Sequence, residues 1–157
     1  MTDQGFKLFL AILKQHEGLR LKAYADEYGN WTIGYGHNLS SHGLSNVQAA
    51  STVWTQAQAD THLILDAQAA IDAVYAHWPW AVKLTDARQA VLGDMAFQLG
   101  IGGLSKFSNT LAAVQSGLYQ IAANDMLESN WHSQTPDRCD RLAAMMRNGE
   151  WPVGLAV

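Results

Sequence analysis

The chain has 157 residues, 48% of them apolar and only 15% charged, so it can bury one domain-sized core and is not globally disordered. Ten Lys plus Arg against fourteen Asp plus Glu leave a net charge of −4, which speaks against a general nucleic-acid binder. A single cysteine, Cys139, excludes an internal disulfide and suits a reducing compartment. No apolar run reaches the roughly 18 to 20 residues of a bilayer span. The N-terminus carries Asp3 and Lys7 around its short apolar stretch, the wrong pattern for a signal peptide.

Phe6, Phe9, Leu10 and Leu13 recur at helical spacing, which predicts an amphipathic helix over Phe6–His16 that stops around Glu17-Gly18. The period then changes to two. Leu19, Leu21 and Ala23 alternate with Arg20, Lys22 and Tyr24, as in a half-buried strand. Asp26 to Asn30 supply turn residues and Trp31-Thr32-Ile33 a returning strand, so this region reads as a hairpin followed by further β or loop to about Val53. From Thr55 onward the pattern is helical. Thr55 with Gln58 opens a long helix whose stripe is Leu63, Ala67, Ala70, Ile71 and Val74 and whose end falls by His77-Trp78-Pro79. Thr85 caps a second helix striped by Val91, Met95 and Leu99, broken by Gly100 and Gly102-Gly103. Further helices are predicted at Asn109–Ser116, Tyr119–Glu128 and Asp137–Asn148, the last capped and opened by Thr135-Pro136. The sum is an α+β, mostly α, single domain over residues 1–157, with a β-lobe at about 17–54, a linking helix at about 55–77 and a helical lobe at about 1–16 and 80–157. A cleft between two such lobes is a usual place for a ligand.

The polar residues around the first helix exit and the hairpin stand out. Glu17 ends the helix, Asp26 sits at the turn nine positions on, and Thr32 lies on the returning strand. Two carboxylates facing one cleft are what glycoside hydrolysis requires, one protonated and one ionised, with a hydroxyl able to hold a water. The plainer alternative is an exposed helix-end acid and an ordinary turn former. Spacing alone does not choose between them.

The residues HEGLRLKAYADEYGNWTIGYGH, in which Glu, eight residues, Asp, five residues and Thr follow without a gap, resemble the T-even bacteriophage lysozymes, the endolysins of glycoside hydrolase family 24. The similarity resumes in FQLGIGGLSKFSNTLAAVQSG, in SNWHSQTPDRCDR and in the closing RNGEW, so it spans nearly the whole chain in order. The segment Leu39–Val53 is shorter than in the best-known members.

The resemblance implies a lysozyme-like two-lobe fold and hydrolysis of the β-1,4 bond between N-acetylmuramic acid and N-acetylglucosamine in peptidoglycan. Glu17 would be the general acid, Asp26 the base and Thr32 the residue that positions the water, with inversion at the anomeric carbon. Inversion requires carboxyl groups about 6.5 to 9.5 Å apart, and the acid must hold its proton at working pH. Arg138 would orient Glu17, and His37 would pair with Asp66. Gln98 would bond to Trp131. Asn38, Phe97, Thr110 and Asp125 align with sugar-contacting positions, although Asn38 stands in place of a leucine and Asp125 in place of an asparagine. The other histidines, His16, His42, His62, His77 and His132, show no metal-ligand spacing, so neither metal nor cofactor is expected. Peptidoglycan glycan strands are the implied partner of a monomer held in the host cytoplasm until a holin opens the membrane and gives it access to the periplasm and cell wall. Three alternatives stay open: a lytic transglycosylase, which needs only one acid; a toxin-borne or virion-associated lysozyme; and a cell-wall binding module without activity.

Overall fold

A computed structural model describes all of residues 1–157. Eight α-helices and one three-stranded antiparallel sheet make up the chain, a mostly helical α+β fold. It divides into two compact units, Ile12–Gln68 on one side and Met1–Ala11 with Ala69–Val157 on the other. The divisions fall inside α1 (Asp3–Glu17) and α3 (Gln56–His77), so both helices contribute to both units.

In the unit Ile12–Gln68, β1 (Arg20–Ala25), β2 (Trp31–Gly34) and β3 (His37–Asn38) pair in chain order. The predicted hairpin is present, but its first strand does not alternate as its sequence suggests. Leu19, just before the strand, and Leu21 stay 38% and 36% exposed, and a bulge between Arg20 and Tyr24 breaks the period-two facing of β1. The segment after β3 is helical rather than extended. A 3-10 turn at Ser40–His42 leads to α2 (Asn46–Ala50), whose capping box is closed by Ser45 and Gln48. Ile33, Leu39 and Ala49 form the local core, with Ala23, Trp31 and Trp54 packed on it. Thr55 and Gln58 cap α3 reciprocally, the Thr55 amide donating to Gln58 Oε1 at 2.8 Å and the Gln58 amide to Thr55 Oγ1 at 3.2 Å.

In the other unit, α1 begins three residues before the apolar stripe does. Thr2 Oγ1 accepts the Gly5 amide at 3.0 Å, and the Asp86 carboxylate accepts from the Thr2 amide and hydroxyl. After a 3-10 turn at Pro79–Lys83 come α4 (Asp86–Ser105), α5 (Ser108–Gln115), α6 (Tyr119–Leu127), α7 (Asn130–Gln134) and α8 (Pro136–Asn148). The glycine break in α4 is a single kink at Gly100, with φ +71°, and the helix runs on through Gly102 and Gly103. Thr135 takes the N-cap position of α8 and Pro136 its first turn, as expected, but the Thr135 side chain makes no capping bond there; its hydroxyl donates to the Trp131 carbonyl at 3.2 Å, closing α7 instead. Helix α8 packs on α4, α6 and α7. Its fully buried Leu142 and Met146 join Leu92, Met95, Leu104 and Met126 in the core. Cys139 belongs to this core. Its thiol lies 3.3 Å from the Met126 carbonyl, and burial pushes its pKa up to about 12, so it is a packing residue rather than a nucleophile.

Candidate active site

Glu17 is the last residue of α1, and Gly18 takes the left-handed conformation that ends the helix, its amide reaching the Lys14 carbonyl at 3.2 Å. The Glu17 carboxyl is half-buried beneath the β2–β3 turn. There Gly36, at φ +78°, brings bare backbone so close that a Cβ would lie 2.7 Å from Glu17 Oε2. Only glycine meets both conditions, the left-handed backbone and the missing side chain. Along the sequence Gly34-Tyr35-Gly36-His37 belongs only to the further β or loop that follows the returning strand, and its function as a cover for the carboxyl depends on three-dimensional proximity.

Asp26 closes the β1–β2 hairpin. Its Oδ1 accepts the backbone amides of Tyr28 at 2.9 Å and Asn30 at 2.8 Å, which hold the carboxylate in one orientation. Its Oδ2 receives only a long contact from Asn30 Nδ2, 3.4 Å away, and so remains the oxygen free to take a proton. Thr32 is buried, and its hydroxyl donates to the Asn30 carbonyl across 3.4 Å, a long bond that leaves both lone pairs open to a water. Tyr24, Thr32 and Asn38 are directly opposed across the three strands, so they form one row on one face of the sheet. Arg20 lies over the Tyr24 ring, 4.4 Å from its centre. Asn38 Oδ1 accepts the Ser41 amide at 3.2 Å, so its amide is spent partly on shaping the following turn.

Behind this face His37 Nδ1 meets Asp66 Oδ2 at 2.7 Å, with the imidazole buried. Its ring also lies against His42, His62 and Trp54, at centroid distances of 4.7, 4.8 and 5.3 Å, and His62 stacks flat on Trp54 at 4.1 Å. Sequence reading finds the pair and misses the cluster, because no local pattern joins residues from β3, the loop before α3 and α3. Burial lowers the pKa of His62, with a further push from His37 and His42 that Asp66 opposes.

In the other unit, Trp131 Nε1 donates to Gln98 Oε1 at 2.9 Å, and Phe97 beside it is half-buried. Thr110 and Asp125 line one small cleft of about 230 Å³ with Lys106 and Glu128. Arg138 is buried on α8, and its Nε donates to Asp94 Oδ1 at 2.7 Å. Asp94 is fully buried, a partner that the sequence pattern around Arg138 does not point to. Its signal is a lone carboxylate within the apolar run Val91 to Phe97, which in a helix core calls for a cationic partner. None of the His, Cys, Asp or Glu side chains forms a group of three that could hold a metal ion.

Residues 14–147 match the phage lysozyme family. The pre-baseplate central spike protein Gp5 of Enterobacteria phage T4 is 27% identical over 94% of this chain, which spans 29% of that protein's length. Probable T4-type lysozyme 2 of Dictyostelium discoideum is 26% identical over 88% of this chain and 92% of its own. An endolysin of Acyrthosiphon pisum secondary endosymbiont phage 1 is 32% identical over 76% of this chain and 75% of its own. The family match takes in the end of α1, the whole sheet and nearly all of α8, and the chain accordingly belongs to the phage lysozyme family and is a glycoside hydrolase of the lysozyme class.

Proposed function

We propose that this peptidoglycan hydrolase cuts the β-1,4 bond between N-acetylmuramic acid and N-acetylglucosamine by a single inverting displacement. Glu17 protonates the departing sugar oxygen. Asp26 takes a proton from water through its free Oδ2, and Thr32 positions that water. The observation that carries this reading is the placement of the three residues. A half-buried carboxyl lies under Gly36, and an oriented carboxylate and a long-bonded hydroxyl share the β1–β2 hairpin. Two carboxyl groups of different setting are what separate acid from base in this chemistry. Thr110, Asp125, Phe97 and Asn38 then serve as sugar contacts, and the His37–Asp66 and Gln98–Trp131 pairs hold their elements in place.

Glycan strands are the partner in this reading, and the chain acts as a monomer. No helix is long and apolar enough to cross a membrane. In this reading a separate membrane-opening protein of the holin type gives the chain passage from host cytoplasm to periplasm, and host lysis follows. The similarity to a phage spike protein favours a second setting for the same chemistry, a lysozyme carried on the virion; finding the chain in purified virions would select it.

Glu17→Gln keeps the shape of the side chain and removes its proton. Clearing of chloroform-treated Gram-negative cells should fall by about 10² to 10⁴, with the circular dichroism spectrum unchanged. Comparable clearing by the variant would reject Glu17 as the acid. Anhydro-muramic ends on the products would replace hydrolysis by a transglycosylase, and a retained anomer in the first turnover would replace inversion by a covalent route.

A further inference from the structure

The helical unit holds a second cleft, of about 380 Å³, that none of the residues above explains. Proline ends α3 here, and the 3-10 turn that follows sets Trp78 and Trp80 on either side of Pro79. Both indoles are half-buried and line the cleft, with Ser105, Ser108 and Gln115 from α4 and α5 opposite. His77 Nδ1 is tied to the Ala73 carbonyl at 3.0 Å. Ser105 donates its hydroxyl to the Ile101 carbonyl at 2.7 Å, which leaves the oxygen as an acceptor. The Ser108 hydroxyl and Gln115 amide make no hydrogen bond within the chain. No Lys, Arg, Asp or Glu lines the cleft.

From these features we propose that the cleft binds an uncharged stretch of N-acetylated glycan, as a holding site for the strand that the enzyme cuts. The electron-rich face of an indole attracts the slightly positive C–H face of a pyranose. The free hydroxyl and amide offer donors and acceptors to sugar hydroxyls and acetamido groups, and a lining without Lys, Arg, Asp or Glu fits a ligand without charge. Position strengthens the assignment. Ser108 also lines the cleft that contains Thr110 and Asp125, so the two clefts adjoin at the start of α5 and one polymer can occupy both. A net charge of −4 gives the chain no general attraction to an anionic wall, and a neutral anchor supplies what charge does not.

The site rests on the glycan-cleaving reading, and the test keeps the two apart. Oligomers of N-acetylglucosamine are titrated into isotope-labelled Glu17→Gln protein, which cannot turn them over, while the indole N–H signals are followed. Trp78 and Trp80 should shift together with the Ser108 and Gln115 amides. A Trp78→Ala, Trp80→Ala double variant in the same background should bind purified sacculi about tenfold more weakly. Trp80→Phe should keep most of the affinity, and high salt should leave it in place. Silent indoles with shifts only around Thr110 and Asp125 would overturn the proposal, as would unchanged sacculus affinity in the double variant. Binding lost when stem peptides are removed from the sacculi would overturn it in favour of a peptide, and indole shifts that grow with protein concentration alone would overturn it in favour of a second copy. If the double variant does not fold, the shifts on the intact surface decide. Failure of the glycan-cleaving reading looks different: the wild-type chain leaves sacculi uncut, whatever the indoles do.

Discussion

Glu17 is placed by a residue that has no side chain. Gly36 is held in the left-handed region and touches the space that the carboxyl fills. A methyl group there meets both penalties at once, backbone strain of about 1 to 3 kcal/mol and a clash that must move the acid. Gly36→Ala should lower stability by about that amount, and kcat by roughly 10²-fold, since a displacement near 1 Å is enough for such a loss. Thermal melts and turnover on sacculi check the two effects separately. A variant that lost stability but kept kcat would show that Gly36 serves the turn alone. The Glu, Asp and Thr spacing is legible in the chain, because all three lie within one short stretch. The cover over Glu17 is not, because nothing in a Gly-Tyr-Gly run says which side chain will lie below it.

At the scale of elements, single polar contacts decide how helices and strands meet. The Trp131 indole joins the short α7 to α4 through Gln98. Gln98→Leu would leave a mostly buried N–H without its acceptor and should cost about 1 to 3 kcal/mol in chemical denaturation. An unchanged midpoint would mean that water replaces the amide. The packing of β3, the loop before α3 and α3 depends on protonation. His62 has a pKa below its ordinary 6.5 because it is desolvated and stands near His37 and His42, with Asp66 opposing. The unfolded chain therefore binds this proton more readily. The contribution of His62 to stability is complete above about pH 6.5 and is lost as pH falls through its lower folded value. His62→Phe keeps a ring to pack against Trp54 and removes the titration. Its melting temperature should fall less than that of the wild type between about pH 7 and pH 5. An equal fall in both proteins would assign the acid sensitivity elsewhere. Helix starts at Thr55 and Thr85 are legible from capping residues. The start of α1 at Asp3 is not, since Thr2 is held by Asp86, far along the chain.

For the whole molecule the charge balance is the governing quantity. Residues 1–80 hold four Lys plus Arg and seven Asp plus Glu, and residues 81–157 hold six and seven, so neither half carries a basic excess. In the proposed reading, association with an anionic wall then owes little to long-range attraction and rests on neutral contacts to sugar. Raising the salt from low to about 0.15 M shortens the screening length to about 8 Å. Clearing by this enzyme should change by less than about twofold over that range. A steep loss would show that a local cationic patch steers the substrate after all.

The order of elements, the helical majority, the hairpin and the spacing of Glu17, Asp26 and Thr32 can all be read along the chain. Each depends on periodicity, capping or spacing within a few turns, where covalent connection already limits what the residues can do. Other features rest on residues far apart in sequence. Gly36 over Glu17, Asp94 beneath Arg138, the histidines around Trp54 and the second cleft, where α4 and α5 face the two indoles, arise only when distant segments pack. The bulge in β1 and the exposed Leu19 and Leu21 follow the same rule. An alternating pattern states which faces a strand has, and only the neighbours it pairs with decide which face is buried.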